Sequence, residues 1–117
     1  MSEEEQREFV RRFYEALDAG DADTASALFP DGTVIELWDG TTFRTRAEFK
    51  AWFEALHSKS ENAVRHVVEF EVEGNKAKVR VVLHADYKGK KRVVELEHEF
   101  EFEGDRLVKV SVDIHPI

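Results

Sequence analysis

From residue 60 onward this chain alternates apolar and polar residues with a period of two, and it keeps doing so almost to its end. The clearest stretch is 94–103. Val94, Leu96, His98, Phe100 and Phe102 fall on one parity, and Glu95, Glu97, Glu99, Glu101 and Glu103 on the other. Only a half-buried strand has that period, because successive strand side chains point to opposite faces. Turn signals at Gly74-Asn75, Lys88-Gly89 and Gly104 divide the region into four long strands, to about 73, then 76–87, 90–103 and 106–115. Strands joined by such short turns pair antiparallel.

Charge checks the register. With two-residue loops, Glu73 faces Lys76, Glu71 faces Lys78 and Glu69 faces Arg80. Across the next turn Lys76 faces Glu101, Lys78 faces Glu99, Arg80 faces Glu97 and Asp86 faces Lys91. Every outward pair is of opposite sign. Each contributes only about 0.2–1 kcal/mol, so their value here is as a register marker. The inward set of the last strand reads as Val108, Val110, Val112 and Ile114, which requires a bulge at Gly104.

The first half has helical periodicity. Ser2 and Glu5 form a capping box ahead of Phe9, Val10, Phe13, Tyr14 and Leu17, so residues 3–19 read as an amphipathic helix stopped by Gly20. A short helix follows from Asp21 or Asp23 to Leu28 or Phe29, ended by Pro30-Asp31-Gly32. Residues 33–38 and Thr41–Phe43 flank Asp39-Gly40 as a short hairpin. Thr45 and Glu48 then box a third helix whose buried stripe is Phe49, Trp52, Phe53 and Leu56. The expected architecture is α+β: three N-terminal helices and a short hairpin packed on a curved antiparallel sheet, in one domain spanning the chain.

Composition narrows the function classes. There is no cysteine, which excludes disulfides, thiolate metal sites and thiol nucleophiles. The net charge of −8 argues against nucleic acid as a partner. No apolar run is long enough to span a membrane, and the acidic start MSEEEQRE is not a signal sequence, so a cytoplasmic protein is expected. No HExxH spacing, phosphate loop or GxSxG motif occurs, so neither a metal nor a phosphate-bearing cofactor is expected. The charged outer sheet face favours a monomer.

Four polar residues stand out against apolar surroundings. His98 is alone on an apolar strand face, and a hydrogen-bonded core histidine or a proton-handling group would both fit. Tyr14 and Asp18 share the apolar stripe of the first helix. Asp18 sits near the helix C-terminus, where the dipole disfavours a carboxylate; it either starts an exposed turn or faces a cavity and needs a cation. Arg65 faces outward, and His66 inward, if parity with Val68, Phe70 and Val72 is strict; a bulge at Val67-Val68 reverses both. His84 and His115 share parity with outward residues, and His57 ends the third helix.

The order of elements resembles the cone-shaped fold of the nuclear-transport-factor-2-like, ketosteroid-isomerase-like superfamily over the whole chain. That resemblance implies an apolar pocket lined or backed by Phe13, Leu17, Trp38, Phe49, Trp52, Phe53, Leu83, Leu96, Phe100, Val110 and Val112. The strings RFYEALD (12–18), GDADTA (20–25), LWDG (37–40) and EF with WFE (48–54) are more closely similar to de novo designed luciferases on this scaffold. The resemblance implies cofactor-free oxidation by O2 of an imidazopyrazinone luciferin, such as diphenylterazine or a coelenterazine relative. It also implies a catalytic set in which Tyr14 pairs with His98 and Asp18 with Arg65. A ketosteroid-isomerase-like isomerase or dehydratase, and a non-catalytic small-molecule binder, are the competing expectations.

Overall fold

The Ser2 hydroxyl accepts from the Glu5 N–H while the Glu5 carboxylate accepts from the Ser2 N–H, closing the capping box of α1 (Glu3–Asp18). The computed structural model describes residues 1–116. Gly20 ends the helical path at φ +69°. A Cβ built there would lie 2.1 Å from the imidazole of His57, so only glycine lets the third helix approach this closely. Asp21 caps α2 (Ala22–Ala27), and Thr45 caps α3 (Arg46–His57).

The strands are β1 (Val34–Glu36), β2 (Thr42–Phe43), β3 (Ser60–Glu73), β4 (Lys76–Tyr87), β5 (Lys90–Glu103) and β6 (Arg106–Pro116). They form one six-stranded sheet in the order β2-β1-β6-β5-β4-β3. The β3–β4 and β4–β5 pairs anticipated from charge all occur, from Glu73 opposite Lys76 to Asp86 opposite Lys91.

Two expectations change and one open alternative is resolved. The short hairpin does not pack on the sheet but extends it. β1 lies parallel to β6, with Ile35 opposite Val110, so the curved, open sheet is mixed rather than antiparallel. The β6 bulge is not at Gly104. Glu103 pairs with Arg106 and Phe102 with Leu107, and the register slips before Glu101 meets Lys109. Val108 is therefore the extra residue, and Leu107, at 1% exposure, takes its expected place in the core. On β3, Val67 faces Val81 and Glu69 faces Arg80, leaving Val68 unpaired. That bulge breaks strict parity, turning Arg65 inward and His66 outward.

The core lies between the concave sheet face and the helices. Phe13 meets Phe100 edge-on at 5.9 Å, Phe9 meets Phe102 at 5.3 Å, and Phe29 meets Phe49 at 5.4 Å. Edge-to-face pairs add about 0.5–1.5 kcal/mol each beyond burial. Among the described residues no helix is long and apolar enough to cross a membrane.

Candidate active site

Tyr14 and Asp18 are one turn apart on α1, so both reach the same side of the helix. Tyr14 is buried, and its hydroxyl lies 2.8 Å from Nδ1 of His98 on β5. Asp18 meets Arg65 on β3 twice. Its Oδ1 accepts from Nη1 at 2.7 Å, and its Oδ2 from the Arg65 backbone N–H at 3.2 Å. The Arg65 side chain is only 8% exposed, against 28% for Asp18. Nε of Arg65 is buried and has no partner among the described residues.

Burial sets the protonation states. It pushes the Tyr14 phenol far above its ordinary value, with Arg65 opposing weakly. It pushes His98 down to about 3, helped by the Arg65 charge. At neutral pH the pair is a phenol and a neutral imidazole. The phenol can donate to Nδ1 or accept from it, so Nε2 can be presented with or without a proton.

Beside this cluster lies a cavity of about 480 Å3 whose wall includes Arg65 and His98. Of the apolar residues expected there, Phe13, Leu17, Trp38, Phe49, Trp52, Phe53, Leu83, Leu96, Val110 and Val112 line it. Phe100 does not. It is fully buried behind the wall, between Phe13, Tyr14 and His98. Tyr14 and Asp18 also stay off the cavity wall, bordering instead a groove between α1 and β3. They reach the cavity only through His98 and Arg65.

Four more polar residues line the wall without a site role expected from sequence, His57, Ser60, Tyr87 and Arg92. All but Ser60 had a signal. His57 continues the four-residue spacing of Phe49 and Phe53 and stacks on Phe53 at 5.8 Å. Tyr87 has the inward parity of Val79, Val81 and Leu83, and Arg92 that of Val94, Leu96 and His98.

Chemically, the site offers a largely apolar volume whose wall carries the oriented guanidinium of Arg65 and the neutral imidazole of His98. Such a wall can hold an anion, because fixed donors in a low-dielectric site need no reorganisation when charge develops.

No curated protein sequence matches the chain. Solved structures share its fold. A protein assigned as a SnoaL-like polyketide cyclase from Shewanella denitrificans superposes with a TM-score of 0.85 at 13% identity, covering 97% of this chain and 92% of that one. A hypothetical protein with a ketosteroid isomerase-like fold from Catenulispora acidiphila, in complex with trimethylamine, gives 0.82 at 16% identity, with 91% and 84% covered. An epoxide hydrolase of the LEH-like type from M. tuberculosis gives 0.80 at 15% identity, with 95% and 83% covered. The sequence pattern of the SnoaL-like domain matches residues 10–110. The chain therefore belongs to the SnoaL-like domain family, on the nuclear-transport-factor-2-like, ketosteroid-isomerase-like fold.

Proposed function

We propose that the protein is a cofactor-independent luciferase that oxidises an imidazopyrazinone luciferin of the diphenylterazine or coelenterazine type with O2. The observation that carries this reading is the Arg65 guanidinium. It is buried in the wall of an apolar cavity, clamped by Asp18 on one side and left with an undirected Nε–H.

A buried ion pair seldom outweighs its own desolvation, so stability alone does not account for one in a cavity wall. An anionic substrate does. The luciferin must lose a proton to become an electron-rich anion, and a fixed guanidinium favours that anion more strongly in a dry site than in water. The anion adds O2 at the carbon beside its carbonyl to give a peroxide, whose outer oxygen attacks that carbonyl and expels the ring nitrogen, closing a dioxetanone. Loss of CO2 then leaves the amide in an excited state. His98, held by Tyr14, meets a ring nitrogen or oxygen of the luciferin through Nε2. With burial holding it to about 3, His98 acts as a neutral hydrogen-bonding group rather than as an imidazolium. The cavity, at about 480 Å3, falls within the roughly 300–1,000 Å3 usual for sites of drug-sized ligands. Its aromatic wall excludes water from the emitter.

The second reading is an isomerase or cyclase, favoured by the family and by the polyketide cyclase relative. It needs a free base at the cavity. Asp18 is engaged twice by Arg65 and burial leaves His98 weakly basic, so the His57 imidazole on the cavity wall is the base left to that reading.

The deciding experiment mixes purified protein with diphenylterazine in air and counts photons against an albumin control. The luciferase reading requires light well above albumin, with a strong loss in Arg65→Ala and in His98→Ala. Light at the albumin level, with proton exchange beside a ketone in a model substrate, would establish the isomerase reading instead.

A further inference from the structure

The bulge that turns Arg65 inward also turns His66 out, and there it meets a second histidine. His66 sits opposite Val82, and Val64 opposite His84, so the two histidines are diagonal neighbours on the outer face of β3 and β4. Both are exposed. Their rings lie 5.3 Å apart, centre to centre, at 84° to each other. Neither has a role in the cavity, which is on the other face of the sheet.

We propose that His66 and His84 form a chelating site for a borderline divalent transition metal, of which Zn2+ is the reference ion. Imidazole is the common side-chain ligand for such ions. The spacing suits it. A nitrogen bound at about 2.0–2.1 Å puts each ring centre about 3.2 Å from the metal, and a tetrahedral angle then separates the centres by about 5.2 Å. The observed rings already stand at that separation. Both side chains project from paired strands, so little ordering is needed to bring the second ligand in after the first. This is the advantage of a chelate over two separate imidazoles. Two ligands leave the remaining positions to water or to an exogenous donor. The net charge of −8 draws cations toward the surface. No local metal motif marks this pair, because the two histidines lie eighteen positions apart and only strand pairing joins them.

The test is zinc chloride titrated calorimetrically into tag-free protein, with His66→Ala, His84→Ala and His115→Ala alongside. His115 is the control, an exposed histidine on β6 opposite Glu95, with its Nε2 3.7 Å from the Glu97 carboxylate. The expected result is one Zn2+ per chain, affinity reduced on the order of tenfold or more in either His66→Ala or His84→Ala, and no change in His115→Ala. Cu2+ should bind more tightly than Zn2+ at the same pair. NMR of the unmodified chain supplies a readout that needs no variant: the ring resonances of His66 and His84 should shift together during the titration. Wild-type affinity in either His66→Ala or His84→Ala, or ring resonances that stay in place at saturating zinc, would overturn the proposal.

Discussion

Removing the Asp18 carboxylate should destabilise the fold because of what it leaves behind. In Asp18→Ala the Arg65 guanidinium, 8% exposed in the intact pair, loses the carboxylate that engages it. Breaking a fully buried pair from one side costs about 3–5 kcal/mol. Here the cost falls near the lower end, because Asp18 is 28% exposed and opens onto the groove between α1 and β3, through which water reaches the vacated position. Allowing for that screening gives roughly 2–3 kcal/mol. For a domain of this size each kcal/mol moves the melting temperature by roughly 4 °C, so the expected drop is about 8–12 °C.

The diagnostic result is an order rather than a number. Arg65→Leu in the Asp18→Ala background removes the stranded charge, so the double variant should be more stable than Asp18→Ala alone. Urea and thermal denaturation at pH 7 measure all of these species. An Asp18→Ala protein within about 0.5 kcal/mol of wild type, the range of ordinary surface changes, would refute the reasoning. So would a double variant less stable than the single one, since it would mean that the pair matters through packing rather than charge.

Other consequences follow from the same geometry. His98 is held down to about 3 by burial, so between there and its ordinary value the unfolded chain binds a proton that the native state refuses. Stability attributable to His98 is therefore complete above about pH 6.5 and is lost as pH falls; at pH 4.5 the loss is roughly 2–3 kcal/mol. His98→Gln should flatten that part of the urea-midpoint profile, and a profile parallel to wild type would contradict it. Gly20→Ala places a Cβ where the His57 ring lies, in a left-handed conformation as well. A loss of at least about 1 kcal/mol is expected, partly recovered in Gly20→Ala/His57→Ala; no recovery would mean that backbone strain alone is responsible. Phe100→Leu should cost roughly 1–3 kcal/mol through a cavity in the core. It should leave binding of an apolar fluorescent probe unchanged, because Phe100 is behind the cavity wall.

Much of this architecture is legible in the sequence where a pattern is local and redundant. The β3–β4–β5 register repeats one message at each outward pair, and the two-residue turns at Gly74-Asn75 and Lys88-Gly89 fix which pairs meet. The parallel seam between β1 and β6 has no such signal. β1 contributes three residues, too few for a periodicity, and nothing local to a strand reports a partner some seventy positions away. The β6 bulge is hidden for a different reason. Leu107 and Val108 are both apolar, so hydropathy cannot say which is the extra residue. The opposed charges of Glu103 and Arg106 could have, since they close a plain two-residue turn at Gly104-Asp105.

The β3 bulge is the instructive case, because the site depends on it. Val67 and Val68 are equally apolar, and each is about half exposed, at 49% and 54%, so burial does not distinguish their roles. What does is the demand at either end of the strand. Glu69, Glu71 and Glu73 must face Arg80, Lys78 and Lys76, and Asp18 on α1 needs a cation. Both demands are met only if one residue between Glu69 and Arg65 is left out of the ladder. Without the slip, Arg65 would lie on the charged outer face and His66 in the apolar wall, stranding Asp18. The charge rows and the helix carboxylate together thus specify the bulge, although neither does so alone. The same single slip determines which face Arg65 serves and which face receives the His66–His84 pair.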